Sequence, residues 1–330
     1  MSKATAPPLG EFERIARFFA PLAGPGALSL TDDVALIDGP AGEQYVLTTD
    51  TIIEGVDYFP DDPPFQVAQK LLRVNLSDLA AKGAAPFGYL LTTVLPKTHG
   101  EAWLDEFAKG LAADQQEFGV VLLGGDSSGT PGPPTLSATL IGRVGSGKAI
   151  LRSGAKEGDI VYVSGTLGDA ALGLALRKGE LDAPLNAEQR DYLVDRYRMP
   201  RPRVALGQKL VGIASAMIDI SDGFLADLGH LCAASKLGAA IPAHNLPISP
   251  AARAAITSNP SFNSAVIAGG DDYELLFTAA PQRAWDVGAA MRDAGVTVMA
   301  LGSMAQGEGA VVLGPDEQPV NVEKAGYAHF

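Results

Sequence analysis

The sequence predicts an α/β (α+β) protein of two halves, each a mixed sheet covered by helices. Three observations carry this expectation. Strand-type and helix-type apolar patterns interleave along all 330 residues instead of separating into blocks. Each half holds two or more long segments with helical spacing. A Gly-rich, turn-like stretch at 145–158 (GSGKAILRSGAKEG) interrupts the pattern near the middle, which puts the expected domains at 1–148 and 149–330.

In the first half, residues 1–8 read as a tail. Residues 9–20 (LGEFERIARFFA) read as a helix, because Phe12, Ile15, Ala16 and Phe19 share a face, and Gly24 and Gly26 end it. Strands follow at 35–38 and 44–53 (QYVLTTDTII), joined by the turn signal GPAG. Residues 65–82 form a long helix with a stop at Gly83. A strand at 89–95 (YLLTTVL), a second long helix at 101–118, a buried-type strand at 120–124 (VVLLG) and an alternating strand at 136–144 complete this half. The second half opens with a strand at 160–164 (IVYVS) and helices at 169–178, 187–197 and 203–213. A strand at 216–220 (AMIDI) hands over to a helix at 224–237. A strand at 274–279, a helix at 282–293 and strands at 296–301 and 310–313 end the chain.

The 38 Asp and Glu residues outnumber the 25 Lys and Arg, a net charge of −13 that argues against nucleic-acid and anionic-membrane partners. A hydrophobic content of 47% supplies a core and excludes disorder. The single cysteine, Cys232, excludes an intrachain disulfide and a Cys-based zinc site, and reads as a small buried hydrophobe. The four histidines (His99, His230, His244, His329) form no H-E-x-x-H. The N-terminal MSKATAPPLGEFER lacks a signal-peptide core, and no run of 18 apolar residues exists, so a cytoplasmic protein is expected.

The carboxylates show a repeated grammar, an apolar strand followed by Asp and a small residue. Asp50 ends YVLTTD, Asp126 ends VVLLGGD, Asp219 and Asp222 sit in AMIDISDG, and Asp32 and Asp33 precede a strand in SLTDDVAL. Asp222 would also suit the N-cap of the helix at 224, and Asp50 and Asp126 could begin turns. Collected together, such costly placements point to a site. Asp78 lies within a helix, in one column with Leu71, Asn75 and Lys82, where it either pairs with Lys82 at i, i+4 or projects into a cleft. Hard oxygen donors from distant segments suit Mg²⁺, and Mg²⁺ commonly accompanies a phosphorylated ligand. Thr48 and Thr49 add neutral oxygens beside Asp50.

The segment GRVGSGK at 142–148 imitates a P-loop, but Ala149 stands where the metal-binding hydroxyl belongs, so it is rejected. No complete G-x-G-x-x-G follows a strand, so a Rossmann site is unsupported. The pair Gly124-Gly125 before Asp126 would let a backbone approach phosphate, and Arg152 would offer a bidentate fork.

In order along the chain stand TDDVAL, TTDTIIEGVDYF, VNLSDLAAKGA, LLGGDSS, LRSGAKEGD, IDISDGF, GGDDYEL and GYAHF. This ordered set resembles the thiamine-monophosphate kinases, of the superfamily that includes aminoimidazole ribonucleotide synthetase, from about residue 10 onward. The resemblance implies the two-domain aminoimidazole ribonucleotide synthetase-like fold, a homodimer built through the N-terminal sheets, and ATP with several Mg²⁺ ions in a cleft. It implies ATP-dependent phosphorylation of thiamine monophosphate to thiamine diphosphate by direct in-line transfer, with no covalent nucleophile. Carried over by position, Asp33, Thr48, Thr49, Asp50, Asp78, Asp126, Asp219 and Asp222 look like metal ligands. Gly125, Asp126, Arg152 and Ser221 look like ATP contacts, and Asp57, Asp271 and Tyr327 like the acceptor site. Thr31, Asp57 and Asp271 depart from the family's usual Gly, His and Glu, the last two on the acceptor side. The alternatives are another ATP-dependent synthetase of the superfamily, or a nucleotide- or thiamine-phosphate-binding protein without turnover.

Overall fold

The computed structural model describes residues 25–322 and the isolated positions 16, 20, 326 and 327. The helix expected at 9–20 lies almost wholly outside the described residues. The first sheet holds β1 (Ala35–Asp38), β2 (Glu43–Ile53), β3 (Ala85–Leu95), β4 (Val121–Gly129) and β5 (Thr135–Gly145) in the order β1-β2-β5-β3-β4. Its pairs are antiparallel except β3–β4, which is parallel. Helix α1 (Pro64–Ala81) packs on β2 and β5, and α2 (Glu101–Phe118) packs on α1.

Alternation along β5 explains which face is covered. Leu136, Ala138 and Leu140 are fully buried in the core with α1, while Ser137, Thr139 and Ile141 point the other way and are half-buried. The second face carries the half-exposed Leu90, and the edge strand β4 leaves Val121, Leu122 and Leu123 exposed at 49%, 48% and 50%.

Strand β4 runs five residues beyond its expected end at 124, to Gly129. Backbone pairing with β3 as far as Leu95–Gly129 outweighs the weak strand preference of GGDSSG. Gly124, Gly125 and Asp126 are therefore strand residues, and Asp50 lies within β2, inside the strand expected at 44–53.

The second sheet holds β6 (Ile160–Ser164), β7 (Ala216–Asp219), β8 (Gly238–Pro242), β9 (Leu275–Ala279), β10 (Val298–Ala305) and β11 (Gly309–Leu313), ordered β11-β8-β10-β6-β9-β7. Around it lie α3 (Asp169–Lys178), α4 (Ala187–Arg198), α5 (Val204–Lys209), α6 (Phe224–Ser235), α7 (Pro250–Ser258), α8 (Asn263–Ala268) and α9 (Ala284–Ala294). The helix expected at 203–213 is shortened to α5, and β8, α7 and α8 were not expected.

Strand β9 is buried on both faces, which is why its run is continuously apolar. Leu275, Phe277 and Ala279 join the core that contains α1, whereas Leu276 joins a second core with Phe224 and Leu228 of α6. The core around α1 thus draws on both halves. Helix α1 lies between the first sheet and the α5–β7 side of the second, so the cleft walls share one hydrophobic foundation.

Candidate active site

Helix α1 holds the site together, because its polar residues reach different strands. Asn75 is fully buried; its Oδ1 accepts from the Asp50 N–H at 3.0 Å while its Nδ2 donates to Leu71 O at 2.9 Å. Ser77 Oγ donates to Asp219 Oδ2 at 2.6 Å, across 142 residues of sequence. Asp78 Oδ2 accepts from Thr48 Oγ1 at 2.6 Å. Lys82, the C-cap residue, is fully buried, and its Nζ contacts Asp32 Oδ1 at 2.8 Å and Asp33 Oδ2 at 2.5 Å. The i, i+4 pairing of Asp78 with Lys82 is therefore not formed. Lys82 turns inward because two buried carboxylates there need a cation more than the surface does.

One carboxylate oxygen from each of Asp33, Asp78 and Asp219 lies within 4.8 Å of the others. Burial raises the Asp78 carboxyl well above the usual range, and the negative charges of Asp50, Asp219 and Asp33 add to it. Burial, then Asp33, pushes Asp219 up to about 7 against the opposing Ser77 hydrogen bond, Lys82 and Arg152. Burial would also raise Asp33, but Lys82 and Arg152 outweigh it and hold that carboxyl down at about 2. Arg152 Nε donates to Asp33 Oδ1 at 2.8 Å, and its Nη2 makes a second, shorter contact with the same oxygen. Buried, crowded carboxylates, two of them with pKa values raised first by burial and then by mutual repulsion, form a donor set suited to a hard divalent ion. Asp222, Asp227 and His230 form a neighbouring trio, in which Asp227 Oδ2 accepts from the Asp222 and Gly223 N–H groups and holds the turn before α6.

The acceptor-side residues come from both halves. Lys70 of α1, nearly buried, donates to Asp57 O at 2.8 Å and pairs with Asp271 Oδ2 at 3.1 Å. Its Nζ also lies 4.0 Å from the centre of the Tyr197 ring, and Tyr197 Oη donates to Asp57 O at 3.1 Å. Asp57 Oδ2 accepts from the Ile53 N–H at 2.7 Å, so one carboxylate oxygen closes its own turn. Asp271 and Tyr273 adopt left-handed backbone (φ 68° and 50°), costly for residues with a Cβ and typical of functional sites. Asp272 between them fixes that shape by accepting from the N–H groups of Gly168 (2.7 Å) and Ala170 (3.4 Å).

A cleft of about 400 Å³ joins these groups; Asp33, Thr48, Asp50, Asp57, Asp78, Arg152, Ser221, Asp222, Asp271 and Tyr327 all line it. Tyr327 is half exposed and its N–H donates to Asp222 O at 2.9 Å. A wider depression of about 640 Å³ around Pro184, Ile248, Pro250 and Arg253 shares no residue with the cleft and offers one charged side chain.

Three expected ligands stand apart. Thr49 borders the cleft, yet its side chain is on the exposed face of β2 and its Oγ1 donates to Ala138 O at 3.1 Å. Asp126 pairs laterally with Thr92, Thr92 with Ser137, and Ser137 with Thr51, all on the open face of the sheet. Asp50 lies in the adjacent row, Asp50–Ala138–Leu91–Gly125, on the opposite face. Pleating alone thus separates Asp126 from the Asp33–Asp78–Asp219 group of its own chain. Gly125 sits where a Cβ would meet Leu91 O at 1.8 Å, a steric requirement that suffices to explain a glycine. The false P-loop is the end of β5 (residues 142–145) and the turn after it, where the Gly147 N–H donates to Gln44 Oε1.

Sequence reading did not single out Lys70 or Ser77, and it named Asn75 and Lys82 only as members of the Asp78 column, with Lys82 as a possible partner of Asp78. The available signal was a helix with too many polar residues on its apolar side: Gln69, Lys70, Asn75 and Ser77 are all buried.

Two family models match, AIR synthase related protein N-terminal domain over residues 31–144 and AIR synthase related protein C-terminal domain over 156–314. The thiamine-monophosphate kinase of Caulobacter vibrioides is 41% identical over 99% of this chain and 92% of its own length. The crystal structure of thiamine-monophosphate kinase from Stenotrophomonas maltophilia aligns at 38% identity with a TM-score of 0.78, covering 91% of this chain and 94% of that one. The complex of AaThiL with AMPPCP and TMP aligns at 29% identity with a TM-score of 0.86, covering 99% and 100%.

Proposed function

The chain belongs to the thiamine-monophosphate kinase family, and on that premise we propose that its cleft moves the γ-phosphoryl group of ATP onto the phosphate of thiamine monophosphate, giving thiamine diphosphate and ADP. The observation that carries this reading is the convergence of Asp33, Asp78 and Asp219 within 4.8 Å, with Asp33 and Asp78 lining one cleft together with Thr48 and Asp50. Asp33, Thr48, Asp50, Asp78, Asp219 and Asp222 would hold Mg²⁺, which would supply neutralisation of the phosphate charges, while Asp126, on the opposite face of the sheet, would serve only a partner's cleft.

The chain's own residues position and screen. Arg152, Ser221, Gly125 and Asp126 are the proposed nucleotide contacts, with Arg152 offering a fork to phosphate. Asp57, Asp271 and Tyr327 are the proposed acceptor contacts, and Lys70 fixes the first two relative to each other. An acceptor phosphate oxygen bonds to the γ-phosphorus while the bond to the β–γ bridging oxygen breaks, and that electron pair leaves with ADP. The acceptor oxygen is already anionic, so no side chain has to remove a proton or form a covalent intermediate. Alignment and charge compensation carry the rate.

We further propose a homodimer through the open faces of the first sheets. Exposed Val121, Leu122 and Leu123 on an edge strand support it, since such strands are normally covered. It would give Asp126 and Gly125 a role in the partner's cleft. The domain boundary is assigned to 148/149, within the connection between β5 and β6. No helix among the described residues is long and apolar enough to cross a membrane, and a cytoplasmic location is proposed.

Incubating the protein with ATP, Mg²⁺ and thiamine monophosphate should yield thiamine diphosphate and ADP in equal amounts. Tight binding of both substrates without ADP release would replace the kinase reading with that of a binding protein.

A further inference from the structure

Asp33 is enclosed by two cations of different character. Lys82 is fully buried; its Nζ donates to Met217 O at 3.3 Å and forms ion pairs with Asp32 Oδ1 at 2.8 Å and Asp33 Oδ2 at 2.5 Å. Its main chain is also fixed, because its carbonyl accepts from the Ile150 N–H at 3.2 Å. Asp32 is saturated as well: Oδ1 also accepts from the Asp33 N–H and Oδ2 from the Arg152 N–H. Lys82 therefore cannot leave without unpacking the helix end. Arg152 differs. Its side chain is 17% exposed and lines the cleft, and among the described residues its guanidinium hydrogen-bonds to Asp33 Oδ1 alone. A guanidinium at a cavity wall can turn from a carboxylate to a phosphate at little cost, since both fit its fork.

We infer that Lys82 is a positioning residue, a permanent built-in cation on Asp32 and Asp33, and that Arg152 is a removable cap whose transfer to nucleotide phosphate opens Asp33 Oδ1 to a divalent ion. This rests on the nucleotide role assigned to Arg152 above. Nucleotide arrival and metal capture at Asp33 are then one exchange of partners. A chain without nucleotide keeps its carboxylate closed, and Lys82 stands where another metal would otherwise be needed.

The test follows Mn²⁺ binding to the nucleotide-free full chain by the electron paramagnetic resonance signal of free Mn²⁺, with calorimetry of a non-hydrolysable ATP analogue alongside. Arg152→Met should bind Mn²⁺ about tenfold more tightly than the wild type, the scale of metal-site changes caused by outer residues, while its affinity for the analogue falls. Lys82→Met, or Lys82→Met with Asp32→Asn if the single variant does not fold, should also bind Mn²⁺ more tightly. Wild-type Mn²⁺ affinity in folded Arg152→Met overturns the inference, and that variant decides alone if neither Lys82 form folds. Failure of the wild type to bind the analogue would instead remove the nucleotide assignment, with the Mn²⁺ comparison unaffected.

Discussion

Ser77 Oγ donates to Asp219 Oδ2 at 2.6 Å, so a helix of the first half directly holds a carboxylate of the second. Both side chains are buried, so Ser77→Ala leaves a carboxylate oxygen short of a donor. The expected loss is about 1–3 kcal/mol, read by urea unfolding under chelator. Stability equal to wild type would show that Asp219 finds another partner.

The same carboxylate gives the protein a pH signature. Folded Asp219 keeps its proton up to about pH 7, whereas the unfolded chain releases it near the ordinary carboxylate value of 3.8. Between these values the folded state binds more protons, so metal-free stability falls as pH rises through that window. Asp219→Asn should lack this contribution, and the difference in Tm between the two proteins under EDTA should change steadily from about pH 4 to pH 7. Added Mg²⁺ should recover more stability at pH 8 than at pH 5. A pH-independent difference in Tm would contradict the raised carboxyl.

Asp78→Asn and Asp50→Asn each remove a charge from the proposed metal shell while keeping the side-chain shape. Turnover should fall by about 10²-fold or more, with a higher Mg²⁺ requirement and an unchanged circular dichroism spectrum. Near-normal turnover at low Mg²⁺ in either variant would end the multi-metal reading.

Asp126 and Asp50 project from opposite faces of one sheet, which leads to a complementation test. Asp126→Asn and Asp78→Asn should each be inactive alone. Mixed in equal amounts and allowed to exchange, they should recover about a quarter of wild-type activity, because half the dimers then contain one intact site. No recovery after demonstrated exchange would mean that Asp126 acts within its own chain or not at all.

Lys70→Met tests the acceptor end. Loss of charged hydrogen bonds to Asp57 O and Asp271 should raise the KM for thiamine monophosphate about tenfold, with the KM for ATP little changed. A rise confined to ATP would reverse the assignment of the two ends.

Most of the architecture was legible where the pattern is carried locally. Helix α1 showed its period, and β9 its continuous apolar run. The missed strand β8 (GAAIP) has weak intrinsic preference and exists because β10 and β11 pair with it. The missed α7 did carry a signal, Ser249 capping Ala252 and Pro250 in the first turn. The carboxylates were legible as an ordered set, but their facing was not. The separation of Asp126 follows from strand register, and β4 extends past its apolar run. Lys82 was hidden because helical spacing gives its neighbour Asp78, while its actual partners, Asp32 and Asp33, are about fifty residues away.

The concentration of Lys70, Asn75, Ser77, Asp78 and Lys82 on α1 makes the site depend on counting. Each residue of a helix advances the next by about 100°. A single insertion or deletion inside Pro64–Ala81 would rotate every later side chain away from its strand at once. The substitutions tested above each remove one contact. A one-residue change in the length of this helix would scatter several together, so the site is far more sensitive to the helix's length than to any one of its side chains.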